Sequence, residues 1–131
     1  MLSDASVRRA VKHLAAAGDT DLFPLLPEAR FFSDHTDVVA NLVASMNPGN
    51  YDPISSMEVL TPKSALGFRI GHQLTAADSL IYTAAVIESA EGIENIRRAT
   101  SGDAAFAYRY DPAGEERLFL EIGATTTGSI T

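Results

Sequence analysis

Cysteine is absent from this chain of 131 residues, and histidine occurs only three times. The lack of cysteine excludes disulfide bonds, thiolate metal ligands and thiol nucleophiles. No apolar run approaches the roughly 20 residues that a membrane-spanning helix needs, and the first residues lack the basic-then-apolar pattern of a secretory signal. We therefore expect a cytoplasmic protein that does not bind a membrane.

Positive charge is also scarce, with 10 lysine and arginine residues against 17 aspartate and glutamate residues and a net charge of −7. Affinity for nucleic acids comes mainly from lysine and arginine side chains that neutralise phosphates. A surface this acidic repels a polyanion unless a local basic patch faces it. We expect the domain alone to bind nucleic acid only weakly.

The overall composition is that of a globular protein, with 46% hydrophobic and 21% charged residues, close to the averages for folded domains. The length suits one domain. The hydrophobic patterns predict a single α+β domain over residues 1–122, with two or three helices packed on a small, mainly antiparallel sheet. Residues 123–131, rich in threonine, glycine and serine, are predicted to be a flexible tail.

Hydrophobic periodicity predicts two helices in the first half of the chain. The first runs from about Asp4 to Ala17, capped by Ser3 or Asp4, and its basic side is either a contact surface or, more commonly, a solvated face. Between the two helices, prolines favour an extended segment over residues 19–27 that packs on the core. The second helix is expected from about Asp34 to Met46, with Ser33 as its cap. Its predicted buried stripe consists of Val38, Val39, Leu42, Val43 and Met46.

The second half begins with alternating patterns typical of strands over residues 57–74, with a hairpin around Pro62–Ser64. The alternation places Arg69 on the face opposite Phe68 and Ile70. A capping box, Thr75 to Asp78, then starts a strongly apolar helix expected to be the centre of the domain. Two further strands, at 105–110 and 117–122, are predicted around a turn at 111–115.

No pattern in the sequence builds a catalytic centre. The histidines at 13, 35 and 72 stand in no metal-binding motif, no serine lies in a nucleophile elbow, and no glycine-rich phosphate loop occurs. The carboxylate pairs Asp19/Asp21 and Asp34/Asp37 are compatible with a divalent cation, although capping and turn formation explain them better. We expect no catalytic residue, no metal site and no cofactor.

The most site-like cluster is a polar strip beside the capping box, formed by Arg69, His72, Gln73 and Thr75. An arginine and a helix N-terminus both favour an anion. These four residues are therefore the candidates for binding an anion or a nucleic acid. The alternative is a purely structural role, in which Arg69 only pairs with an acidic neighbour.

Several residue runs resemble one family. The runs Val7–His13 and Gly18–Pro24 (GDTDLFP) resemble the opening of bacterial RNA-directed DNA polymerases, the reverse transcriptases. Gly67–Ile70 with Gln73, Ile93–Glu94 near Arg97, and Phe106–Tyr110 (FAYRY) are similar to later segments of that family, in the same order. The resemblance covers about residues 7–110, and the GDTDLFP and FAYRY runs are its more specific parts.

This resemblance implies the N-terminal, fingers-side part of such a polymerase. The catalytic palm of the family, with its Y-x-D-D turn and two metal ions, has no counterpart here. By the resemblance, Arg69 and Gln73 fall where the fingers approach template or nucleotide, so nucleic-acid handling would depend on the missing polymerase region. The alternatives are a stand-alone interaction module, which we expect to be a homo-oligomer, most simply a homodimer, and a small-anion binder.

Overall fold

The computed structural model describes residues 2–17, 26–46, 51–64, 66–101, 109–114 and 118–119. In these residues the elements are α1 (Asp4–Ala17), α2 (Pro27–Asp34), α3 (Thr36–Ser45), β1 (Met57–Ser64), β2 (Gly67–Gln73) and α4 (Ala76–Ser101). The expected fold class, an α+β domain with a small antiparallel sheet, is confirmed. It holds four helices in the described part of the chain, where the sequence predicted two or three. The tail predicted at 123–131 lies outside the described residues.

Helix α1 has the bounds that its periodicity predicted. Ser3 caps it, because the Ser6 amide donates to the Ser3 hydroxyl at 3.2 Å and so satisfies one of the free amides of the first turn. Val7, Ala10 and Val11 are fully buried, which matches the predicted apolar face.

The region before α3 differs from the prediction. A separate helix, α2, begins at Pro27, where a proline is favourable because the first helical residue needs no amide donor. Ser33 lies inside α2 and does not cap the next helix, which follows His35. The predicted buried stripe of α3 is also only half right. Val39 and Val43 are buried, whereas Val38 and Leu42 are exposed.

Helix α4 begins at Ala76 as the capping box predicted. It buries one face, along Ala76, Leu80, Ala84, Ile87 and Ala90, while Tyr82 is exposed. The helix contributes to the core of the domain, as predicted, although only one of its faces is buried. Its exposed side also carries large apolar side chains, Ile93 and Ile96, which are 58% and 70% exposed.

The core forms between helices. It contains Val7, Ala10 and Val11 of α1, Val39, Ala40 and Val43 of α3, Leu80, Ala84 and Ile87 of α4, and Leu118. Helix α1 packs most closely on α4 and also contacts α2 and α3. None of the described helices combines the length and hydropathy that crossing a bilayer would require.

Strands β1 and β2 pair antiparallel, from Met57 opposite Gln73 to Ser64 opposite Gly67. The hairpin is confirmed, but Pro62 and Ser64 belong to β1, where the register shifts, and the turn comes later, at Leu66. In the described part of the chain, neither strand contacts a helix as extensively as it contacts its partner strand. The hairpin therefore projects from a core that the helices build together with Leu118.

The second predicted hairpin is described only near its turn. Tyr110 and Phe119 form an antiparallel bridge, and the Asp111 amide donates to the Leu118 carbonyl at 2.8 Å. The Ala113 amide donates to the Asp111 carboxylate at 3.0 Å, as expected for aspartate at the start of a turn. The rest of the two predicted strands lies outside the described residues.

Candidate functional site

The strand register assigns the hairpin side chains to two faces, because cross-strand partners share a face and successive residues alternate. One face, here called the arginine face, carries Met57, Val59, Thr61, Arg69, Gly71 and Gln73. The other, called the hydrophobic face, carries Glu58, Leu60, Pro62, Phe68, Ile70 and His72. Arg69 thus lies opposite Phe68 and Ile70, as the alternation predicted.

The four candidate residues do not form one continuous strip. Arg69 and Gln73 share the arginine face, where Arg69 is exposed and Gln73 is half-buried. His72 lies on the hydrophobic face, and strand alternation alone would have revealed this from the sequence. The role of these residues in binding an anion or a nucleic acid stays a prediction.

His72 has its own local partners. Its Nδ1 lies 3.2 Å from the Ser56 hydroxyl and 4.0 Å from a carboxylate oxygen of Glu58, its cross-strand neighbour. All three groups are at the base of the hairpin, near the start of β1. His72 therefore joins a polar end of the hydrophobic face, apart from Arg69.

Thr75 belongs to a cap centred on Asp78. The Asp78 amide donates to the Thr75 hydroxyl at 3.2 Å, and that hydroxyl donates to the Asp78 carboxylate at 2.6 Å. The carboxylate also accepts from the Tyr51 hydroxyl at 2.5 Å and from the Ile54 amide at 3.3 Å. We call this group of four residues the Asp78 clamp. Because it joins the segment before β1 to Thr75, two residues after β2, it fixes both ends of the hairpin to α4.

The electrostatics of the Asp78 clamp follow from its donors. Asp78 is only 5% exposed, yet hydrogen bonds from Thr75, Tyr51 and the Ile54 amide lower the pKa of its carboxyl. The same Asp78 contact, with burial, raises the pKa of Tyr51 to about 12. A carboxylate thus already occupies the first turn of α4, where the helix dipole favours negative charge.

Arg9 is a residue whose role the sequence did not reveal. Its guanidinium lies over the Tyr110 ring, 4.9 Å from the centroid, and donates to the Tyr110 hydroxyl. It also donates to the carbonyls of Asp111 and Pro112, the latter at 3.1 Å. Arg9 therefore anchors the 110–112 turn on α1. At this position the basic side of α1 makes a contact within the chain.

Glu94 makes a second long-range connection. Although it is buried, its carboxylate accepts from Arg109 Nε at 2.9 Å and lies 2.9 Å from Arg109 Nη2. The Tyr110 amide donates to its other oxygen at 3.2 Å. Two of the runs that carry the family resemblance, at Glu94 and at Arg109–Tyr110, therefore meet through a paired charge. The geometry gives this pair a role in holding α4 and the 109–110 segment together.

A third connection links α4 to the start of α1. The Glu88 carboxylate accepts from the Ser6 hydroxyl, from the Ser3 hydroxyl at 2.7 Å and from the Ser3 amide at 3.3 Å. These bonds, that of Ser6 first, lower the pKa of Glu88. No local sequence signal pointed to this contact, because its partners are more than 80 residues apart.

Metal-binding side chains do not cluster in the described ranges, where no group of three or more His, Asp or Glu residues could hold an ion. Asp37 instead pairs with Arg8 at 2.5 Å, and Arg8 pairs also with Asp4 at 2.7 Å. The pair Asp19/Asp21 lies outside the described residues.

Comparisons with models of protein families, with curated proteins and with solved structures found no match. The resemblance to reverse transcriptases therefore stays a prediction that rests on residue runs such as GDTDLFP and FAYRY.

Proposed function

We propose that the domain corresponds to the N-terminal, fingers-side region of a bacterial RNA-directed DNA polymerase. In this proposal it handles nucleic acid or nucleotide in the cytoplasm and catalyses no reaction itself. The hairpin is the part that approaches the nucleic acid, through Arg69 and Gln73 on the arginine face.

The observation that carries this proposal is the placement of Arg69. It is exposed on a hairpin that projects from the helical core and whose base the Asp78 clamp holds at two points. An arginine presented on an anchored projection suits contact with a phosphate or a base edge.

Local charge supports the same surface. Residues 57–73 contain Lys63 and Arg69 against Glu58, which gives +2 − 1 = +1 in a chain whose net charge is −7. Helix α4 contains four acidic and two basic residues, so its net charge is 2 − 4 = −2. An approaching polyanion is therefore repelled less by the hairpin than by α4.

The test measures the binding of labelled single-stranded RNA, single-stranded DNA and an RNA–DNA hybrid by fluorescence anisotropy at low salt. We expect weak binding that declines as salt is raised. Arg69→Ala should weaken it about fivefold, and Gln73→Ala less, because a charged phosphate contact counts for more than a neutral one. The matched control is Arg30→Ala, which removes an exposed arginine from α2.

Equal losses in Arg69→Ala and Arg30→Ala would contradict a specific role for the hairpin. The proposed relationship has a separate test in the encoding locus. A downstream reading frame that contains a Y-x-D-D turn would support it, and a locus without any polymerase palm would contradict it.

A second candidate function is a protein-interaction module. It is favoured by the hydrophobic face of the hairpin, where Leu60, Phe68 and Ile70 are 69%, 72% and 62% exposed. Adjacent exposed apolar side chains of this size are typical of surfaces that another molecule covers.

A further inference from the structure

We propose that a groove between α1 and residues 112–114 binds a small anion of the phosphate-monoester class. The groove has a volume of about 320 Å³. It is lined on one side by Arg8, Arg9 and Lys12 of α1, and on the other by Pro112, Ala113 and Gly114. We call it the basic groove. It does not include the hairpin, so the inference goes beyond the nucleic-acid handling proposed above.

Among the described residues, every charged side chain that lines the basic groove is positive. Arg8 and Lys12 are four residues apart on α1, which places them on one side of the helix, and Arg9 lies next to Arg8. Three of the ten lysine and arginine residues of the chain therefore line the same groove. Such a concentration of positive charge, in a chain whose net charge is −7, favours a negatively charged ligand at this place.

Arg9 is a half-buried cation whose described hydrogen-bond partners are all neutral. Its guanidinium donates to the Tyr110 hydroxyl and to the carbonyls of Asp111 and Pro112. The Asp111 carboxylate accepts from the Ala113 amide instead, and no carboxylate in the described part of the chain pairs with Arg9. Since a charge taken out of water is usually paired with an opposite charge, the space beside Arg9 suits a bound anion.

Lys12 is exposed and makes no side-chain hydrogen bond or ion pair with another residue that the structure describes. Its ammonium group therefore keeps three donors for a ligand. Arg8 differs, because its guanidinium pairs with Asp4 at 2.7 Å and with Asp37 at 2.5 Å. The basic groove thus presents two positive charges without a described counter-charge, those of Arg9 and Lys12.

These uncompensated charges select the class of ligand. A phosphate monoester carries about −1.5 to −2 charges at pH 7 and three strong acceptor oxygens, which matches the two cations. A carboxylate or a phosphodiester carries a single negative charge and would match only one of them. The volume of about 320 Å³ lies at the lower end of the range for small-molecule sites, about 300–1,000 Å³, so the group esterified to the phosphate must be small.

The test measures ligand binding to the isotopically labelled 131-residue chain by amide NMR titration at constant ionic strength. The probes are glycerol 3-phosphate, inorganic phosphate and dimethyl phosphate, which is a diester like the nucleic-acid backbone. We expect glycerol 3-phosphate to bind with a dissociation constant on the order of 1 mM, and dimethyl phosphate to bind at least about threefold more weakly. The amides that shift should be those of Arg8, Arg9, Lys12, Ala113 and Gly114.

Two substitutions of exposed residues should move the dissociation constant in opposite directions. Lys12→Gln removes a positive charge from the groove and should weaken binding about fivefold, whereas Lys63→Gln, at an exposed lysine of the hairpin, is the matched control and should leave it unchanged. Asp37→Asn removes a negative partner of Arg8 and should strengthen binding about twofold. Its control is Asp52→Asn, at an exposed aspartate before β1.

An unchanged dissociation constant in Lys12→Gln would overturn the inference, as would dimethyl phosphate that binds as tightly as glycerol 3-phosphate. Single-stranded RNA that shifts the same amides, with the effect lost in Lys12→Gln, would assign the groove to nucleic acid and would also overturn it. Binding that Arg69→Ala weakens is detected at the hairpin. A failure of the proposed nucleic-acid handling would therefore leave the results at the basic groove unchanged.

Discussion

The helical core and the hairpin of this domain use similar residues in opposite ways. Leu80 of α4 is 2% exposed and belongs to the core that also holds alanines and valines of α1 and α3. Leu60 of β1, an identical side chain, is mostly exposed on a projecting hairpin. The core buries its apolar side chains, whereas the hairpin exposes them, with an exposed arginine on its reverse. The helices therefore account for most of the buried core, and the proposed contact with nucleic acid is assigned to a different part of the chain.

The largest expected effect comes from leucine-to-alanine substitutions in the two regions. Leu80→Ala removes a buried side chain and leaves a cavity, so the free energy of unfolding should fall by about 2–5 kcal/mol. Leu60→Ala should change it by less than about 0.5 kcal/mol. Urea denaturation measures both. Equal losses would show that the hairpin is part of the core and would break the comparison.

An intermediate effect is expected at Glu94, which connects α4 to Arg109. Glu94→Gln removes the charge from a largely buried pair and should cost about 1–3 kcal/mol of unfolding free energy. Its control is Glu91→Gln, an exposed glutamate one turn earlier on the same helix, for which we expect less than about 0.5 kcal/mol.

The double variant Glu94→Gln/Arg109→Met sharpens this prediction. If the two side chains act as a pair, its loss should be smaller than the sum of the single losses. Additive losses would assign Glu94 a stabilising role that does not depend on Arg109.

The amino-acid sequence predicted those elements whose signals are local. The bounds of α1, the start of α4 at its capping box and the alternation of the hairpin all come from neighbouring residues. Local signals could not predict which face of α3 is buried. Val38 and Leu42 are as apolar as Val39 and Val43, so periodicity does not show which of the two pairs the core covers. Helix α2 was missed because Pro27 was interpreted as the end of an extended segment, although proline suits the first residue of a helix.

The candidate site was predictable to a similar degree. The placement of Arg69 on the face opposite Phe68 follows from strand alternation. The same alternation separates His72 from Arg69, although the sequence analysis grouped the two in one polar strip. The connections of Arg9 to Tyr110 and of Glu94 to Arg109 join residues that only the tertiary fold brings together. No spacing rule within one segment identifies such partners.

The smallest expected effect concerns the Asp78 clamp, which joins the two regions. Tyr51→Phe removes one donor to Asp78 and should lower the free energy of unfolding by about 1 kcal/mol. The substitution should also increase the rate of amide hydrogen exchange more in the hairpin than in α1. Tyr82→Phe, at an exposed tyrosine of α4, is the control and should leave both stability and alkaline sensitivity unchanged.

The pH dependence of the Asp78 clamp has two limits. Because the pKa of Tyr51 is raised to about 12, its contribution is complete below its ordinary pKa of about 10 and is lost as the pH rises from there toward 12. Because the pKa of Asp78 is lowered, its contribution is present above about pH 4 and is lost as the pH falls through the folded-state value. If Tyr51→Phe left the alkaline loss of stability unchanged, the clamp would not be what fixes the hairpin to the core.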